Sequence, residues 1–197
     1  LYNLGYALLE RVEKGAAYIN EHIEPPSTDE EFFLIMMYGA MLVDAAGLLL
    51  KELKIKNPYQ EGEQIASCYF ADVCENQNLQ FNDGTIPTDK EVWEYIRALS
   101  FAHPFKTSHP QFLEKGEIQY SPAIIANIKP EFLPVDAEPT IGILVYSTAF
   151  PEIKVLNIPY TRILGYISSR YQLLALGTER IKQIITEKKQ EWVKQKV

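Results

Sequence analysis

A chain of 197 residues is long enough to bury one good core or two small ones. With 47% apolar and 23% charged residues it has the make-up of an ordinary soluble globular protein. Its formal net charge of −7 excludes a protein that coats nucleic acid through bulk positive charge, but not one that grips a single phosphate locally.

In chain order, Leu4, Leu8, Leu9, Val12, Ala16, Ile19 and Ile23 recur at helical spacing, and Pro25-Pro26 stops that first helix. Ser27, Thr28 or Asp29 can cap a second helix, whose positive N-terminal end suits Glu30 and Glu31. Its run from Phe32 to Leu50 is long enough to cross a membrane. It contains Asp44, however, which costs ~2.5–3.5 kcal/mol inside a span, and it continues into the mixed charges of "KELKIK". A central core helix surrounded by other helices is expected instead, with no membrane partner. Asn57-Pro58 closes it, and a third helical stretch is expected over residues 61–75. The polar "NQNLQFNDGTIP" then reads as a loop with a hairpin turn at Asn82-Asp83-Gly84.

Thr88-Asp89-Lys90-Glu91 is a capping box that starts a fourth helix. Val92, Ile96 and Leu99 form its core stripe, Trp93 lies beside them, and Pro104 stops it near Ala102 or His103. From 117 to 160 the texture is β-rich. "TIGILVYS" and "IKVLNIPY" flank "TAFPE" and predict a hairpin, and "QYSPAIIAN" is a further extended run. Helical period returns from Tyr160 through Ile163, Leu164, Ile167, Tyr171 and Leu174, and Gly177 need not end it. The expected architecture is mainly α: one domain over residues 1–197, with 117–160 as a β-rich insertion or appendage before a long C-terminal helix. Two cysteines (Cys68, Cys74) and three histidines (His22, His103, His109) match neither a disulfide framework nor a common zinc spacing. No metal or other cofactor is therefore expected. Reduced cysteines, with no signal-peptide pattern at Leu1, point to a cytoplasmic setting.

The fourth helix raises a chemical question, because Arg97 and His103 stand where it has to end. Separately, Arg97 reads as a solvated arginine lying over Trp93, and His103 as a helix-ending residue near the negative end of the dipole. In a straight helix residues six apart point about 120° away from each other. Pro104 frees His103 to swing back toward Arg97. Arginine binds phosphate bidentately and histidine exchanges protons near neutral pH, which together form a minimal kit for cleaving RNA.

The stretch "RALSFAH", at the end of a helix in a helical core, resembles the signature of the HEPN superfamily. The resemblance implies a four- to five-helix bundle, a homodimer and a metal-independent endoribonuclease acting in phage defence or as a toxin with a partner antitoxin. On this chain it makes Arg97 the phosphate-binding residue and His103 the general base or acid. Ser100, one turn after Arg97, and His109, across the bend, are candidate substrate-binding residues. Asp44, a carboxylate in an apolar helix that needs a partner if buried, is a candidate for orienting Arg97. Arg162, Arg170 and Arg180 on the last helix can guide a polyanion, and 178–197 carries six Lys/Arg against three Glu. Leu4, Tyr6, Tyr95 and Phe101 are candidates for dimer surface. The competing reading is a non-catalytic domain that binds a partner protein or a nucleotide. It is favoured by the acidic charge and by Ala98, where active relatives frequently carry Asn, Asp or His.

Overall fold

The computed structural model describes residues 2–59, 69–81, 84–102, 117–121, 123–126, 138–149 and 151–194, and within these the side chains of 2–8 and 192–194 are not described. Helix α1 covers Tyr2–Glu21 and α2 covers Asp29–Glu52. Thr28 caps α2, its hydroxyl accepting from Glu31 N at 3.2 Å, while the Glu31 carboxylate turns back onto Ser27 N at 2.7 Å. Buried α2 residues run from Phe32 through Ile35, Met36, Gly39 and Leu42 to Leu50, so the helix packs into the core along its whole length. It is long and apolar enough to cross a membrane by composition, but much of that apolar surface is already taken by α1 and α5. It is not enclosed all round as the sequence suggested, because Phe33, Leu34 and Met37 remain 38–39% exposed.

Helix α3, Ala71–Gln77, overlaps the end of the expected third helix and runs two residues past it, while residues 61–68 of that expectation lie outside the described residues. Asn78 closes it in the left-handed region at φ 53°. Gly84 N then donates to Phe81 O and Phe81 N to Thr85 O, both at 2.9 Å. This is the turn expected there, with Gly84 at φ 82°, although Asn82 and Asp83 are not described.

Helix α4, Asp89–Arg97, has the expected capping box, formed by Thr88 and Glu91. Its first residue does a second job. Asp89 is 1% exposed, and its carboxylate accepts from Tyr69 N and Phe70 N, tying the entrance of α3 to the start of α4. After Arg97 the helix widens into a π segment, Ala98–Ala102.

Strands β1 (Gln119–Tyr120) and β2 (Ile124–Ile125) both pair antiparallel with β3 (Thr140–Ser147), which pairs on its other side with β4 (Lys154–Pro159). The expected hairpin is thus the centre of a small sheet. Period-two alternation buries Ile141, Ile143 and Val145 of β3 against Leu156 and Ile158 of β4. These join the same apolar cluster as α2, α3, α4 and α5, so the sheet is a layer of the core and not an appendage. Gln77 fastens α3 to the outer edge of β4 by donating to Asn157 O at 2.6 Å and accepting from Asn157 N at 2.7 Å.

Helix α5 runs 35 residues, Tyr160–Lys194, straight through Gly177. Trp93 of α4 stacks on Tyr166 of α5 with ring centroids 5.0 Å apart, at the middle of the core. Gly39 lets α2 approach that stack. A Cβ there would sit 2.4 Å from Ile167 Cδ1, 3.0 Å from its Cγ1 and 3.4 Å from Trp93. Gly39→Val should therefore overpack the α2–α5 contact and destabilise the fold by ~1–3 kcal/mol. A lowered urea midpoint with unchanged slope checks this, and a midpoint equal to that of the wild type refutes it.

Candidate functional site

Arg97 ends α4 where the hydrogen-bonding step changes from four residues to five. Such π insertions are frequent at functional sites. The segment holds its register by burying Ala98 and Leu99 at 6% and 0% exposure. Phe101, half-buried, packs against the same core and carries the Arg97 guanidinium 5.8 Å above its ring. The aromatic beneath Arg97 is thus Phe101 and not Trp93, whose ring the core consumes.

Arg97 Nη2 lies 3.5 Å from Asp44 Oδ2 on α2, and Nη1 lies 3.7 Å from Glu94 Oε2 one turn back on its own helix. Its side chain is 27% exposed. Asp44 does face Arg97, but it is not buried: its side chain is 59% exposed, because the stripe of α2 that bears it points to solvent. Ser100 is 0% exposed, and its hydroxyl has no hydrogen-bond partner among the described residues, so the substrate-binding role expected of it is corrected to that of a core residue. Tyr95, expected at a dimer surface, is 3% exposed and donates to Gln119 Oε1 at 2.5 Å. Burial and nearby Glu117 push its phenol pKa up, so it stays a neutral donor. Leu4 and Tyr6 have no described side chains. His103 and His109 lie outside the described residues, so Arg97, Glu94 and Asp44 are the described part of the candidate site.

The cluster opens onto a cleft of about 340 Å³ between α2, α4 and α5. Asp44 and Glu94 line it, with Gly47, Lys51, Lys90 and Arg170. Arg170 is the basic side chain that position alone did not single out. Arg162 is engaged by Asp72 at 2.9 Å and Arg180 by Glu187 at 3.5 Å, whereas Arg170 lies across the rings of Tyr59 and Tyr166. Burial pushes the Tyr166 phenol up to about 12, with Arg170 opposing the shift, so the ring beneath the guanidinium is neutral. The detectable signal was an i, i+4 Tyr166–Arg170 pair on an otherwise core-facing stripe.

No family model, curated protein or solved structure matches this chain.

Two stability effects follow from this geometry. Asp44→Ala removes an exposed ion pair and should cost no more than ~1 kcal/mol. A loss several times larger would mean that the carboxylate is structurally buried. Ser100→Ala removes a buried hydroxyl that makes no hydrogen bond among the described residues, and should leave stability unchanged or raise it by up to ~1 kcal/mol. A clear drop in melting temperature on that substitution would require a partner for the hydroxyl.

Proposed function

We propose that this chain is a HEPN-like helical domain acting in the cytoplasm as a metal-independent endoribonuclease, as a toxin or phage-defence component. The observation that carries this reading is the Arg97 guanidinium, partly exposed at a π turn and steadied by Asp44 and Glu94 at the mouth of a cleft that contains further cations. In this reading Arg97 neutralises the scissile phosphate. His103, six residues on, takes the proton from the substrate's 2′-hydroxyl so that the oxygen attacks phosphorus, and a second proton donor protonates the leaving 5′-oxygen.

Two copies of the motif across a two-fold axis supply both groups. Phe33, Leu34 and Met37 support such a pairing as exposed apolar residues of α2. Phe33 and Asp44 lie eleven positions, about three turns, apart and so share a helix face. A self-complementary contact along that face brings the two Arg97 clusters toward the axis.

Purified protein incubated with RNA in EDTA should leave 2′,3′-cyclic phosphate ends, and Arg97→Ala and His103→Ala should each lower the rate by ~10²–10⁴. Undiminished cleavage in both variants ends the proposal. Absence of any cleavage by the wild type favours the second reading, a binding module, which the two carboxylates already engaging Arg97 and the buried Ala98 support.

The pairing has its own check. Met37→Glu should convert a dimer to a monomer in light scattering and lower cleavage with it. A dimer that survives this change is built on another face.

A further inference from the structure

Arg170 is 6% exposed. Its guanidinium carbon lies 3.9 Å from the ring centroid of Tyr59 and 4.2 Å from that of Tyr166, so its plane is clamped between two aromatic faces. Nη1 donates to Ser169 Oγ at 2.8 Å, and Ser169 in turn donates to Tyr166 O at 2.7 Å. Among the described residues no carboxylate oxygen lies within ion-pair distance of it, unlike Arg162 and Arg180 on the same helix. A buried charge is costly unless it is paired. Two tyrosine faces, the Tyr166 hydroxyl and Ser169 return part of that cost, but among the described residues no carboxylate completes the guanidinium fork.

Arg170 lines the cleft described above. Lys51, one turn beyond Gly47 on α2, and Lys90, near the start of α4, are exposed on the same walls. Asp44 and Glu94 also line it, but both lie against Arg97. Three cations therefore line the cleft beside two carboxylates, and because both carboxylates also engage Arg97 next to it, the excess positive charge lies at Arg170 and the lysines. This local excess stands out on a chain whose net charge is −7.

We infer that the cleft is a phosphate subsite for single-stranded RNA. Arg170 grips one backbone phosphate through its fork, and Lys51 and Lys90 add point charges beside it. The inference rests on the reading of Arg97 as the residue that meets the scissile phosphate, because the shared carboxylates Asp44 and Glu94 make the two places neighbours. A strand leaving Arg97 runs into this cleft. The tyrosine faces are occupied by the guanidinium, so the subsite holds the backbone and does not stack a base. Phosphate contacts of this kind position a strand without reading its sequence.

The test separates binding from cleavage. A fluorescent 2′-O-methyl oligouridylate, which has no free 2′-hydroxyl and cannot be cut by this chemistry, is titrated with the full chain at low salt and followed by anisotropy. Arg170→Gln and the double variant Lys51→Ala/Lys90→Ala should each weaken binding about tenfold or more. The double variant should also flatten the dependence of affinity on salt, by roughly 0.7 in the logarithmic slope for each phosphate that it no longer neutralises.

Gly47→Phe guards against misfolding as the cause. A Cβ at Gly47 meets nothing within 4 Å and Gly47 lines the cleft, so a ring there should project into it, and replacing a mid-helix glycine does not weaken α2. It should abolish binding while keeping the native melting temperature. Wild-type affinity in Gly47→Phe and in the lysine double variant, or failure of the wild type to bind the oligonucleotide at all, overturns the subsite. Binding that depends on Arg170 and the lysines in a protein that never cuts RNA upholds the subsite and removes the ribonuclease reading alone.

Discussion

The structure depends on the burial of α2. A helix of 24 residues in which Phe32, Ile35, Met36, Gly39, Ala40, Leu42, Ala45, Ala46 and Leu50 all leave solvent cannot be satisfied by one neighbour. Helix α1 covers one side, where Gly15 would place a Cβ 3.2 Å from Leu42, and α5 covers another at Gly39. Helix α4 and the π segment that follows it enter beneath through Trp93, Ile96 and Leu99, each at most 1% exposed. The positions of Arg97 and Arg170 follow from this packing. Both are carried by elements whose opposite faces are fixed against the same apolar cluster, so the polar groups emerge together on the remaining side.

Much of this plan was legible from local rules. The capping box of α4, the continuity of α5 through Gly177 and the β3–β4 pair all follow from short-range chemistry that one sequence displays, whereas α1 ends at Glu21, ahead of the stop expected at Pro25-Pro26. What could not be read is where faces meet. Ile141, Ile143 and Ile158 looked like half of a peripheral hairpin. Only the tertiary arrangement shows their inner face closing the bundle's core.

The same division holds at the site. The Asp44–Arg97 proximity could be anticipated because an acid in an apolar run needs a reason, but its exposure could not, since that depends on which stripe of α2 the other helices leave uncovered. Ser100 misled for the complementary reason. In an α-helix it would stand one turn from Arg97, near the same face. The π segment changes the angular step and turns it into the core. Tyr59 and Arg170 are 111 positions apart and separated by every strand, so no local pattern could pair them.

Arg97 and Arg170 show how the same residue type takes different parts according to what surrounds it. Arg97 is partly solvated and has two carboxylates within 4 Å, so its charge is largely compensated and its orientation held from both sides. A phosphate arriving there must compete with Asp44 and Glu94, and gains less than it would at a bare guanidinium. Arg170 has the opposite character: desolvated, held between two tyrosine rings and with no carboxylate within ion-pair distance among the described residues. Electrostatic attraction grows as the dielectric falls, so in the proposed subsite a polyanion would gain the larger share of its binding energy at Arg170. The compensated arginine is the better placed for a charge that develops only during reaction. Strong attraction to the ground-state phosphate would stabilise substrate and transition state alike and would not speed the chemical step. Under the proposed function, one arginine would hold the strand and another, tempered by carboxylates, would meet the reacting phosphate, a coherent division of labour between adjoining clusters.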